Sequence, residues 1–213
     1  MIQRYAAERG INEIVHFTTN KGLLGIVFTK AVLPREMLAR EQILEYIVQT
    51  NADLRPDRAW FNHVNLSIND INRRFFVSSR GWHPDLWWAI LSFNPAILSE
   101  PDVTFANTNN GWRSGVVRRA GLAGLRMIYE EPVDHGGGGW GRHDASRGVV
   151  PSCPQAEVLY KGPLSVDHLR RVYVANADNY REACSYLTFL ERDIPVEIDP
   201  GRFLPFRTDP CRR

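Results

Sequence analysis

Glu157 stands in Cys153-Pro154-Gln155-Ala156-Glu157-Val158-Leu159-Tyr160, a carboxylate near the start of an otherwise apolar run. A charge among Ala, Val and Leu is costly to bury unless it is partnered or put to use. Such a group could accept a proton. Three other stretches hold groups able to do chemistry. His16 and Thr18 alternate with Val15 and Phe17. Arg55 and Arg58 lie in a polar stretch with Asp53 and Asp57. Phe75 and Phe76 follow Arg73 and Arg74. An Arg fork suits phosphates, and a ring stacks on another ring. Each group also has a plain structural explanation. His16 fits a satisfied core histidine, Thr18 a helix cap, and Arg55 a surface ion pair. Phe75 and Phe76 fit core rings, and Glu157 fits a solvent-facing strand start.

Several familiar chemistries are excluded. The Walker pattern GxxxxGK[ST] is absent. GxGxxG can be laid over Gly136–Gly141, but no strand precedes it and no helix follows, so no dinucleotide fold is implied. There is no GxSxG elbow and no HExxH. Cys153, Cys184 and Cys211 are scattered, without metal-ligand or disulfide spacing. No metal is expected.

The elements that must position these groups follow from periodicity. Strands are expected over 14–18, 64–68, 87–93, 103–105, 153–160, 171–174 and 196–198, and helices over 21–28, 36–49, 116–129 and 179–190. The run 87–93 is apolar throughout and reads as buried on both faces. Residues 69–81 interleave basic and aromatic side chains. Residues 133–153 are too rich in glycine for regular structure, and a loop of that length is usually functional or mobile. The 213 residues, 44% apolar and 23% charged, suit one soluble domain. Residues 202–213 are expected as a loosely held tail. No apolar run reaches the roughly 18–20 residues of a membrane span, and no signal peptide is visible, so a cytoplasmic location is expected. The net charge of +2 argues against a general polyanion binder. Of 26 basic residues only Lys21, Lys30 and Lys161 are lysines, a bias that GC-rich codons would produce.

Taken in order, the stretches resemble the DarT-type DNA ADP-ribosyltransferase toxins, a branch of the diphtheria-toxin/PARP-like transferases. The resemblance rests on Val15-His16-Phe17-Thr18, on Gly22-Leu23-Leu24-Gly25-Ile26, on Val64-Asn65-Leu66-Ser67-Ile68 with Phe75-Phe76 after it, and on Pro154-Gln155-Ala156-Glu157-Val158-Leu159. It implies an α+β fold with a central, mostly antiparallel split sheet and flanking helices. Thymine-modifying members carry a Phe/Tyr-rich strand followed by Pro-Arg-Ser-Pro. This chain instead has Asn65-Leu66-Ser67-Ile68 and then Asn69-Asp70-Ile71-Asn72-Arg73. Thymine and guanine both stand as target bases.

The resemblance further implies NAD as substrate and single-stranded DNA as acceptor. His16, Thr18, Gly25 and Phe76 would hold NAD, with Phe76 on the nicotinamide ring. Arg55, with Arg58 as its rival, would be the catalytic arginine, pairing with the diphosphate or with the charge that develops near it. Glu157 would support the ribosyl cation and take the proton of the attacking base. Trp140, Arg142, His143 and Arg147 would read the acceptor, with Arg73 and Arg74 extending the phosphate track. An antitoxin of the ADP-ribosyl-glycohydrolase type is implied. Two other readings stand beside this one. In the first the same fold acts on RNA, tRNA or protein. In the second it is a non-catalytic nucleic-acid-binding module, in which Glu157 would be replaceable.

Overall fold

A computed structural model describes residues 1–38, 58–112, 114–130 and 149–205. The apolar run of the 87–93 region becomes β4 (Trp88–Phe93), with all six residues buried. Its side chains alternate between two cores. Ala89, Leu91 and Phe93 enter the larger one, and Trp88 and Ile90 the smaller. β1 (Ile14–Thr19) pairs with β4 along its full length. Alternation along β1 sends Ile14 to the larger core and Val15 and Phe17 to the smaller.

On its other side β1 meets β3 (His63–Ile68), but their ladder covers only Ile14↔Ile68 and Val15↔Ser67. The sheet is split there. β3 continues into β7 (Glu157–Lys161), which pairs with β5 (Thr104–Ala106). β6 (Arg118–Ala120) closes that side. Beyond β4 lie β9 (Leu169–Val174) and β10 (Val196–Ile198). The order is β10-β9-β4-β1-β3-β7-β5-β6, and among the described strands only β10 and β9 run parallel. β2 (Ala31–Val32) and β8 (Leu164–Ser165) form a separate ribbon.

One sheet face is covered by α1 (Ile2–Glu8), α2 (Asn20–Thr29), α5 (Gly121–Met127) and α6 (Ala177–Leu187). α3 (Arg35–Leu38) is the described part of the helix expected over 36–49, whose remainder lies outside the described residues. The second face carries α4 (Arg73–Trp82), the element behind the interleaved 69–81 stretch. Asn72 caps it by accepting from the Phe75 N–H at 3.1 Å. No described helix is long and apolar enough to cross a membrane.

Two expectations are corrected. The helix expected over 116–129 begins only at Gly121, and residues 118–120 pair with β5 as an edge strand. Gly121, at φ +66°, makes the turn between them. A Cβ at Gly124 would lie 2.0 Å from the Arg119 carbonyl, so strand and helix pack too closely for a larger residue. The tail expected to be loose from 202 onward is held at its start. Arg202 pairs with Glu13 at 2.7 Å and lies 3.8 Å from the Tyr173 ring centroid. Phe203 is buried in the smaller core against Phe76. Residues 206–213 lie outside the described set.

Candidate active site

Where β1 and β3 separate, a cleft of about 470 Å³ opens. His16 and Glu157 both line it, from opposite lips of the split. His16 is half-buried, and its Nδ1 lies 3.0 Å from the Asn65 carbonyl oxygen. A carbonyl only accepts, so Nδ1 carries the proton and Nε2 is a bare acceptor. Burial pulls the His16 pKa below the usual imidazole value, and the Asn65 carbonyl opposes this more weakly. The ring is therefore neutral at neutral pH.

Glu157 opens β7 and is only 7% exposed. Its Oε2 accepts from Asn65 Nδ2 at 2.7 Å and from the Asn110 N–H at 2.9 Å. Those bonds compensate part of the cost of burying a charge. Asn65 thus joins the two groups: its carbonyl accepts a hydrogen bond from the His16 Nδ1–H and its amide donates to the Glu157 carboxylate. Asn110 is fully buried in the loop between β5 and β6, and Asn109, Gly111 and Trp112 of that loop line the cleft beside Glu157.

The opposite wall is aromatic. Phe75 lines the cleft, 36% exposed, with its ring centroid 5.9 Å from that of Phe17. Phe76 does not line it. It is 1% exposed in the smaller core, against Phe17, Trp88 and Phe203. Two donors on this wall are buried without a partner among the described residues, Asn72 Nδ2 and Trp88 Nε1. Orphaned buried donors are rare and each asks for an acceptor. A planar ring carrying a carbonyl would supply one.

The other candidates scatter. Thr18 lines the cleft. A Cβ at Gly22 would lie 2.0 Å from its Oγ1, so α2 starts close against the strand. Gly25 lies on the buried face of α2, away from the cleft lining. Arg58 is exposed in the 3₁₀ turn Arg58–Trp60, also away from the lining. Arg73 is occupied structurally, pairing with Asp70 at 2.7 Å and donating to the Gly201 and Leu204 carbonyls. Arg74 is exposed on α4 and does not line the cleft. Arg55, Trp140, Arg142, His143 and Arg147 lie outside the described residues. Among the described residues no group of three or more His, Cys, Asp or Glu could hold a metal ion.

Sequence reading missed Asn65, Asn72, Trp88 and Asn110, and chose Phe76 where its neighbour Phe75 lines the cleft. Two left signals. Asn65 is polar in a strand whose alternate residues Val64, Leu66 and Ile68 are buried. Asn72 precedes a helix, where an N-cap belongs.

A family model described as "ssDNA thymidine ADP-ribosyltransferase, DarT" matches residues 15–204. A search of the curated proteins finds no match. Among solved structures, Thermus sp. 2.9 DarT in complex with NAD+ is similar, with a TM-score of 0.64 at 15% identity over 91% of this chain and 98% of that one. The same protein in complex with ADP-ribosylated ssDNA gives 0.64 at 15% identity, over 91% and 97%. Thermosipho africanus DarTG in complex with ADP-ribose gives 0.61 at 15% identity over 90% of this chain. The chain spans only 51% of that one, about half its length.

Proposed function

The chain belongs to the DarT family of single-stranded-DNA thymidine ADP-ribosyltransferases, and from that membership we propose that the split-sheet cleft binds NAD and that Glu157 drives transfer of its ADP-ribose to thymine. The observation that carries the assignment of residues is the Asn65 bridge between His16 and a buried, hydrogen-bonded Glu157 in one cleft.

In this reading the bond from the ribose carbon to the nicotinamide nitrogen breaks, and nicotinamide leaves as a neutral molecule with the electron pair. Cationic character develops on the ribose. The Glu157 carboxylate, already oriented by two donors, stabilises it without reorganising. Thymine in a nucleoside has one N–H, at N3. That nitrogen bonds to the ribose carbon while its proton passes to Glu157. Base pairing hides N3, which accounts for a single-stranded acceptor. His16 Nε2 accepts from a ribose hydroxyl of NAD. Phe75 takes the ring-stacking role expected of Phe76, and Asn72 Nδ2 or Trp88 Nε1 donates to the nicotinamide carbonyl. Arg55 or Arg58 serves the diphosphate, with Thr18 and Gly25 on the cofactor side. Arg73, Arg74, Trp140, Arg142, His143 and Arg147 are assigned to the DNA side. The proposed setting is cytoplasmic, as a toxin whose antitoxin is a glycohydrolase that cleaves the new glycosidic bond.

Incubating the protein with NAD and single-stranded oligonucleotides containing either one thymine or one guanine tests this reading. The expected result is a mass gain of one ADP-ribose on the thymine strand, suppressed by annealing a complement. Gain on the guanine strand alone would change the base. Transfer only to RNA or protein would change the acceptor. DNA binding without any NAD-dependent gain would favour a non-catalytic module.

The His16 geometry sets a pH dependence. Its pKa lies below the ordinary value of about 6.5. Above that value the ring is neutral and NAD affinity should be flat. As pH falls through the lowered pKa, Nε2 gains a proton and stops accepting, so affinity falls. Calorimetric titration with NAD between about pH 5 and 8 reads this. Affinity that rises on acidification, or an unchanged profile in His16→Ala, would remove His16 from the site.

A further inference from the structure

We infer that Arg118 is a positioning residue for Glu157 and acts through Asn110. The inference rests on the assignment of Glu157 above. Sheet register places the two in one row. Ala106 of β5 faces Glu157 on one side and Arg118 on the other. Directly opposed residues of antiparallel strands project to the same face, so both side chains flank the short one of Ala106. Asn110 lies between them. Its N–H is donated to Glu157 Oε2 at 2.9 Å. Its side-chain Oδ1 accepts from Arg118 Nε at 2.5 Å, and its backbone carbonyl accepts from Arg118 Nη2 at 3.1 Å.

The guanidinium therefore grips Asn110 at two acceptors through two of its nitrogens, a match that a single ammonium cannot reproduce. Its Cζ also sits 5.2 Å from the Trp60 ring centroid. That contact ties the segment entering β3 to the hairpin that holds Glu157. The loop 107–112 also carries local turns, such as the Gly111 N–H bond to Asn109 Oδ1, and a contact from Cys153 Sγ to Thr108 Oγ1 at 3.4 Å, but the fork is what grips Asn110 itself at two acceptors. Without the fork, the Asn110 amide is free to move off the carboxylate. A displacement of about 1 Å at a reacting group costs about 10²-fold.

The test compares Arg118→Lys and Arg118→Met with the wild-type chain. In both, kcat for transfer to thymine oligonucleotides is expected to fall about 10–100-fold, the usual cost of losing an outer partner, with KM for NAD within about twofold. In a Glu157→Gln background, Arg118→Lys should add no further loss. Hydrogen exchange gives a readout independent of turnover: the Asn110 amide should lose at least about tenfold protection in Arg118→Lys. Full activity in Arg118→Lys, a rise confined to KM, a fall in kcat that only follows a lowered Tm, or undiminished Asn110 protection would each overturn the inference. If the wild-type chain transfers nothing, the reading of function fails, and the exchange measurement alone decides this one.

Discussion

Replacing Glu157 with Gln is expected to lower kcat by about 10³–10⁴-fold while leaving NAD affinity within about threefold. The amide keeps the shape of the carboxylate. Its oxygen can still accept from Asn65 Nδ2 and the Asn110 N–H, the two bonds that hold Oε2 now. The cleft should stay intact, and a matched unfolding curve would show it. What disappears, in the proposed mechanism, is the negative charge facing the ribosyl cation and the lone pair that takes the base proton. Both act in the transition state and little in the ground state, so the loss appears in kcat. Steady-state transfer and direct NAD titration separate the two quantities. A Gln variant that keeps more than about a tenth of the activity would leave Glu157 a structural carboxylate.

The second large effect separates two neighbouring rings. Phe76→Ala is expected to cost about 3–5 kcal/mol of stability, because it empties a site packed by Phe17, Trp88 and Phe203. Phe75→Ala should cost no more than about 1 kcal/mol, since much of its ring already meets solvent or cleft. It should instead weaken NAD binding about 5–10-fold through loss of ring stacking. Denaturant unfolding and NAD titration on both variants give four numbers. The opposite pattern, stable Phe76→Ala with weak binding, would return the stacking role to Phe76.

This pair shows what a sequence can and cannot disclose. Alternation located His16 and the central strands, and the family pattern pointed to Glu157. The structure puts both residues in one cleft. Phe75 and Phe76 were inseparable because adjacent helical residues point about 100° apart. Which one faces the cleft depends on how α4 is seated. Its seat is set by Phe203 and by the Arg73 bonds to the Gly201 and Leu204 carbonyls, all distant in sequence. Residues 118–120 read as helix because Arg and Ala favour one. Pairing with β5 overrode that preference. Asn110 was hidden for another reason: the group that touches Glu157 is a backbone N–H, which every residue but proline carries.

The split between β1 and β3 has a consequence for how substitutions can silence this protein. Two strand edges lie face to face and stay unzipped. Elsewhere such edges invite pairing and aggregation. Here the Asn65 carbonyl, which could have accepted a main-chain amide from β1, is taken by the imidazole of His16. The ring occupies one acceptor on that edge. The open edges still offer main-chain donors and acceptors, and the carboxamide of nicotinamide has the same chemistry as a peptide group. In the function proposed above, the cleft would receive that ligand much as a sheet receives one more residue. A change that lets the two strands zip together would then silence the protein by filling the place with its own backbone, even with every side chain of the cleft intact.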